Sequence, residues 1–89
     1  MKIEADIRAY IAANLLFSDE GFQYPDDVSF LREGIIDSLG VMELVTFVGT
    51  QFGIQVEPHE VTPENFDSVT KLAAYVRRKQ GGSKELIAA

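Results

Sequence analysis

The sequence predicts an all-α fold, a small bundle of three main helices plus one short helix, with a long loop between helices 1 and 2. Three observations carry this. Apolar residues recur at three- and four-residue steps in three separate stretches of the chain. No alternating run rich in Val, Ile and Thr is long enough to build a sheet. Gly53 and Pro63 stand where such helices should stop and start. At 89 residues the chain forms one small domain, and a domain of this size buries only about 60–65% of its unfolded surface.

The first helix spans residues 3 to 16, with Ile3, Ile7, Tyr10, Ile11 and Leu15 on one apolar stripe. It should end near Leu16, because "FSDEGFQYPDD" collects the turn residues Ser18, Asp19, Gly21, Pro25 and Asp26. The connection onward to Asp37 is about twenty residues, long enough that a functional or a disordered loop is the usual alternative. Its apolar members Phe30, Leu31, Ile35 and Ile36 predict that the second half folds back onto the core. The second helix runs from Ser38 to about Phe52 and stops at Gly53. Val41, Leu44, Val45, Val48 and Phe52 form its core stripe. Phe47 lies off that stripe, and packing beneath the long loop would shelter it. Thr62 and Pro63 read as the N-cap and first residue of a short helix at 63 to 66. Ser68 then caps a last helix whose inner face holds Val69, Leu72, Ala73, Tyr75 and Val76. Residues 1–80 form the folded domain, and 81–89, beginning at the double glycine, are expected to be a flexible C-terminal tail.

Composition excludes several kinds of chemistry. With no cysteine and one histidine, the chain has no disulfide, no thiolate metal site and no thiol nucleophile, and it lacks the set for a zinc centre or a serine triad. It is not expected to be an enzyme. Glu4 and Asp6 interrupt what would be the apolar region of a secretory signal, and no apolar run approaches membrane-spanning length. A cytoplasmic monomer that does not engage a membrane is the expectation. The net charge of −6 is unevenly spread: in the middle, Asp19, Glu20, Asp26, Asp27, Glu33, Asp37, Glu43, Glu57, Glu60, Glu64 and Asp67 face only Arg32, about −10 in that segment alone. The basic residues gather late, at Lys71, Arg77, Arg78, Lys79 and Lys84. That distribution argues against nucleic acid. An acidic middle either steers basic protein partners or simply keeps a small domain soluble.

"EGIIDSLGVMELVTF", residues 33 to 47, sets Asp37 and Ser38 at the mouth of the second helix. Asp and Ser are both favoured caps, so the pair is open to a purely structural reading. Two details speak for more. Val41 stands three residues after Ser38 where a reciprocal capping box needs Glu or Gln. Ser38, Leu39, Met42 and Thr46 also share an arc turned away from the core stripe, so two large apolar side chains flank a hydroxyl and Glu43 borders them. His59, in the loop after Pro58, reads as a surface residue.

At these residues the chain resembles the acyl carrier protein family, in freestanding form. "DSLGVMELV" matches that family's Asp-Ser-Leu motif and the helix after it, "QFGIQV" the end of that helix, and "FDSVTKLAAYV" the last helix. The resemblance implies an acyl-carrier-protein-like bundle whose Ser38 is esterified with 4′-phosphopantetheine drawn from coenzyme A by a phosphopantetheinyl transferase. It places Asp37 beside that transferase's metal and basic groups, Leu39 and Met42 in apolar pockets of partner enzymes, and Glu43 opposite their Arg or Lys. It implies an acyl- or aminoacyl-activating ligase and synthase or acyltransferase enzymes as further partners, with thioester intermediates of fatty acid, polyketide or related secondary-metabolite biosynthesis as cargo. Two departures bear on the pathway: Gly40 stands where fatty-acid carriers usually place an acid, and Gly49, Thr50 and Gln51 replace acids late in the helix. The "EGIIDSLG" form is more similar to freestanding carriers served by adenylate-forming ligases, D-alanyl carriers among them. The alternative from another class is an unmodified acidic helical module that binds a protein partner through the Leu39 and Met42 patch.

Overall fold

The helical periodicity of the sequence is realised in a computed structural model that describes the backbone of residues 2–88 and the side chains of residues 2–81. Its elements are α1 (Lys2–Asn14), α2 (Ser38–Phe52), a 3₁₀ turn at Pro58–Glu60, α3 (Pro63–Phe66) and α4 (Val69–Ala88), with no strand among the described residues. The expected bounds of α2 and α3 are met. The 3₁₀ turn is additional, built by Pro58 and a reciprocal pair of bonds between Glu57 and Glu60. No described helix is long and apolar enough to cross a membrane. α4 continues through Gly81 and Gly82 to Ala88. The division between a folded domain at 1–80 and a flexible tail at 81–89 turns on side chains from residue 82 onward, which lie outside the described residues.

The stripes meet in one core. Ile7 and Ile11 of α1, Leu44 and Val48 of α2, Phe66 of α3, and Val69, Leu72, Ala73, Tyr75 and Val76 of α4 are buried together with Phe30, Ile35 and Ile36 of the loop. A large apolar side chain fully withdrawn from water contributes about 1.5–3 kcal/mol. The loop's share is therefore structural, with Phe30, Ile35 and Ile36 in the core itself.

Helix ends differ in how they are made. Ser68 Oγ accepts the Lys71 N–H at 3.0 Å, as a cap should. Thr62 takes the N-cap position of α3 without a side-chain bond, Pro63 supplying the fixed φ. Gly53 closes α2 in left-handed geometry, φ 65°. α1 ends at Asn14, two residues short of the expected Leu16, because the amides of Leu15 and Leu16 both turn back to the Ile11 carbonyl, at 3.0 and 2.9 Å. The chain then passes through Phe17 at φ 53°, and the Ser18 N–H reaches the Ala12 carbonyl at 2.8 Å.

Two side chains sit elsewhere than the sequence implied. Phe47 does not lie beneath the loop but stacks on Tyr10 of α1, ring centroids 4.1 Å apart. Leu31 is exposed, its neighbour Phe30 having taken the inward direction.

What holds the loop is a set of polar clamps. Asp67, between α3 and α4, accepts the Ser29 hydroxyl on Oδ2 and the Leu31 N–H at 3.0 Å on Oδ1, while its backbone carbonyl accepts the Phe30 N–H at 2.8 Å. Earlier in the loop, Asp26 pairs with Arg8 of α1 at 2.7 Å and its carbonyl accepts the Thr70 N–H at 3.0 Å. The loop is thus tied to α1 and to the start of α4 before it delivers Asp37.

Candidate functional site

At the start of α2 the capping duty falls to Asp37. Its backbone is extended (φ −95°, ψ −174°), its Oδ1 accepts the Gly40 N–H at 2.9 Å, and its carbonyl accepts the Val41 N–H at 3.0 Å. Ser38 is therefore the first helical residue and not the cap. Its hydroxyl is exposed and makes no hydrogen bond among the described residues. A serine kept only to start the helix would be bonded where Asp37 is. Of the pair, the aspartate is the cap and the serine makes no capping bond.

Gly40 explains how the loop reaches this point. A Cβ there would stand 2.4 Å from Ile36 Cγ2, so the absence of a side chain lets the buried Ile36 tuck beneath the first turn. The departure at Gly40 noted in the sequence has this steric cause.

Around Ser38 lie two concavities with no lining residue in common. One, about 300 Å³, is mostly apolar and runs between α2 and α3, with Ser38 at its edge and Leu31, Val41, Met42, Val61 and Phe66 among its walls. The other, about 370 Å³, lies on the opposite flank of α2 and is bordered by Phe17, Asp37, Leu39 and Glu43. Leu39 and Met42, the two apolar residues singled out beside the hydroxyl, are 77% and 56% exposed and fall one to each concavity. Periodicity could not have shown Leu31 or Phe17 as their companions, since both belong to the loop and reach α2 only through its tertiary course.

The charges divide in the same way. Ion pairs at Lys2–Asp6, Arg8–Asp26, Arg77–Glu4 and Lys79–Glu60 hold α1, α4 and the connections together. Among the described residues, no ion pair engages Asp37 or Glu43. Among the described residues the acids beside Ser38 therefore keep an unneutralised field, of the kind that steers basic partners. Glu43 in turn reinforces the effect of burial in raising the Tyr10 phenol above its ordinary value. His59 is exposed on the 3₁₀ turn and lines neither concavity.

An anion attached at Ser38 would meet the first turn of a fifteen-residue helix, where the Ser38 and Leu39 amides have no intrahelical acceptor. With an unbonded hydroxyl at the same point, the residues present fit a phosphodiester.

Comparison with known proteins agrees with that chemistry. A family model described as "Phosphopantetheine attachment site" matches residues 5–76. A D-alanyl carrier protein of Abiotrophia defectiva is 34% identical over 64 residues, covering 72% of this chain and 81% of that protein. D-alanyl carrier protein 1 of Lactiplantibacillus plantarum (strain ATCC BAA-793 / NCIMB 8826 / WCFS1) is 35% identical over 54 residues, covering 61% and 68%.

Proposed function

The chain belongs to the phosphopantetheine attachment-site family, non-catalytic carriers with covalently attached 4′-phosphopantetheine, and from that premise we propose that Ser38 is the attachment residue and that the cargo is an aminoacyl group, D-alanine foremost. The single observation that carries the site is the unbonded, exposed Ser38 hydroxyl beside a helix cap supplied by another residue. The cargo rests on the relatives, both D-alanyl carriers by name.

In attachment, the Ser38 oxygen forms a phosphoester bond as the phosphoanhydride of coenzyme A breaks. The hydroxyl proton passes to a base on the transferase, and adenosine 3′,5′-bisphosphate leaves. Nothing in the chain activates the hydroxyl, so activation belongs to the transferase. The chain's part is to hold the oxygen at the helix tip, to offer helix-terminal amides to the phosphate, and to bring Asp37 toward the transferase's cationic groups. Once attached, the arm supplies a terminal thiol, which a chain without cysteine lacks. Leu39 and Met42 give apolar contacts and Glu43 an ionic one to partner enzymes, the transferase among them. Patches this small suit brief docking, with the acidic field raising encounter rates.

Incubation with coenzyme A, magnesium and a phosphopantetheinyl transferase, read by intact mass, should add one phosphopantetheine to the chain and none to Ser38→Ala. An unchanged mass on folded protein would instead favour the unmodified interaction module. The holo form should then accept D-alanine from a D-alanine-activating ligase in preference to long-chain acyl groups from an acyl ligase; the reverse order would overturn the cargo assignment.

A further inference from the structure

Among the described non-glycine residues, Phe17 alone has a positive φ, 53°. A bulky aromatic in this region is disfavoured by steric contact of its Cβ. It is also 81% exposed, the highest among the large exposed apolar residues. Neither folding nor burial accounts for it: the backbone there would suit glycine, and the ring withdraws almost nothing from water. Phe17 shares its concavity with Leu39, which is 77% exposed, and the rim carries Asp37 and Glu43, acids that pair with no cation of the chain among the described residues. Asp19 and Glu20, two and three residues further along the loop, are exposed too. An apolar pair bordered by acids is complementary to an apolar pocket bordered by Lys or Arg.

We propose that Phe17 and Leu39 form a docking surface for the transferase that modifies Ser38, seated in an apolar pocket with a basic rim on that enzyme. This rests on Ser38 being the attachment site. The transferase is the partner required to work at the Ser38 oxygen itself, so it must cover the residues on either side, and Asp37 and Leu39 both line this concavity and not the α2–α3 groove. A loading ligase acts at the far end of a long arm and has no such need. Backbone strain kept at a position with no packing role is the pattern expected of a functional contact.

The test sets stability against docking. Phe17→Gly and Phe17→Asn both suit a left-handed backbone, so each should melt at or above the temperature of the unaltered chain. With a transferase that modifies the unaltered chain, each should raise the carrier KM about ten-fold with kcat little changed, the magnitude expected when one large apolar contact is lost. Phe17→Tyr should restore KM, and Leu39→Ala should mimic the loss. A KM within two-fold of the unaltered chain for both the Gly and Asn variants would overturn the proposal while leaving attachment at Ser38 intact. Failure of the unaltered chain to be modified would bring down the attachment reading and this inference together. Sedimentation equilibrium covers a different occupant: a dimer that Phe17→Gly dissolves would assign the patch to a second copy of the chain and overturn the transferase assignment.

Discussion

Asp37 does two things at once, and they can be separated. As a cap it satisfies the Gly40 amide, and as a charge it stands in front of Ser38 with no counter-ion in the described chain. Asp37→Ala removes both and should cost about 1 kcal/mol in urea denaturation, the usual value for a lost N-cap. Asp37→Asn keeps an acceptor for the Gly40 amide, so it should lose no more than a few tenths of that while still weakening the transferase KM. If the Asn variant were modified as efficiently as the original, the charge would have no role in docking. Gly40 is constrained in another way. Alanine at this helical position would gain up to about 1 kcal/mol in propensity. Its methyl would also press on Cγ2 of a buried, β-branched Ile36 that has little freedom to rotate away. Overpacking of this kind costs about 1–3 kcal/mol, so Gly40→Ala should destabilise by about 1 kcal/mol net. Combined with Ile36→Ala it should show a favourable coupling of similar size in a double-mutant cycle.

Of the elements, the helices were the most legible from sequence and the loop the least. α2 could be bounded at both ends because the apolar stripe runs between a capping pair and a glycine, all of it local information. Which member of the pair caps was not local, since Asp37 and Ser38 are both competent and the loop's arrival angle decides between them. The long loop's clamps could not be read at all: Asp67 bonds Ser29 and Leu31, which lie 38 and 36 positions earlier, and no periodicity links such residues. Phe47 on Tyr10 and Phe17 in left-handed geometry share this character, being consequences of how elements meet. Asp67→Ala should accordingly act on the loop more than on the helices. The Leu31 amide loses its acceptor and the Ser29 hydroxyl its partner, each worth about 0.5–1.5 kcal/mol, more where a charge accepts. Hydrogen exchange should quicken at Leu31 and Arg32 while amides in the middle of α1 and α4 keep their protection. Uniform acceleration everywhere would mean that the loop is not a separate unit.

Of the carboxylates that join elements of the molecule, Glu60 and Glu4 are held well below their ordinary range, and this bears on its pH range. Glu60 accepts the Glu57 amide at 3.0 Å, the Lys79 ammonium at 3.0 Å and the Tyr75 hydroxyl at 2.9 Å, joining the 3₁₀ turn to α4. These bonds hold its carboxyl down from 4.5 to about 2, the Glu57 amide contributing most and burial opposing it. Glu4 is held well below the usual carboxylate range by the two-pronged bond from Arg77, which joins α1 to α4. A carboxyl whose folded value is depressed contributes its stability in full above the unfolded value and loses it as pH falls toward the folded one, because the unfolded chain binds the proton first. Stability should therefore be flat near neutrality and fall between about pH 4.5 and 2. The Tyr75 phenol is shifted upward, mainly by burial and then by its bond to Glu60. Here the unfolded chain releases its proton first, so stability should fall again as pH rises past 10. Glu60→Gln keeps an acceptor for the Glu57 amide but abolishes the charge. In urea titrations across pH it should flatten the acid limb, and it should soften the alkaline limb by lowering the Tyr75 phenol toward its ordinary value. An acid limb of unchanged slope in Glu60→Gln, with Glu4→Gln equally without effect, would show that the two junctions do not govern acid unfolding.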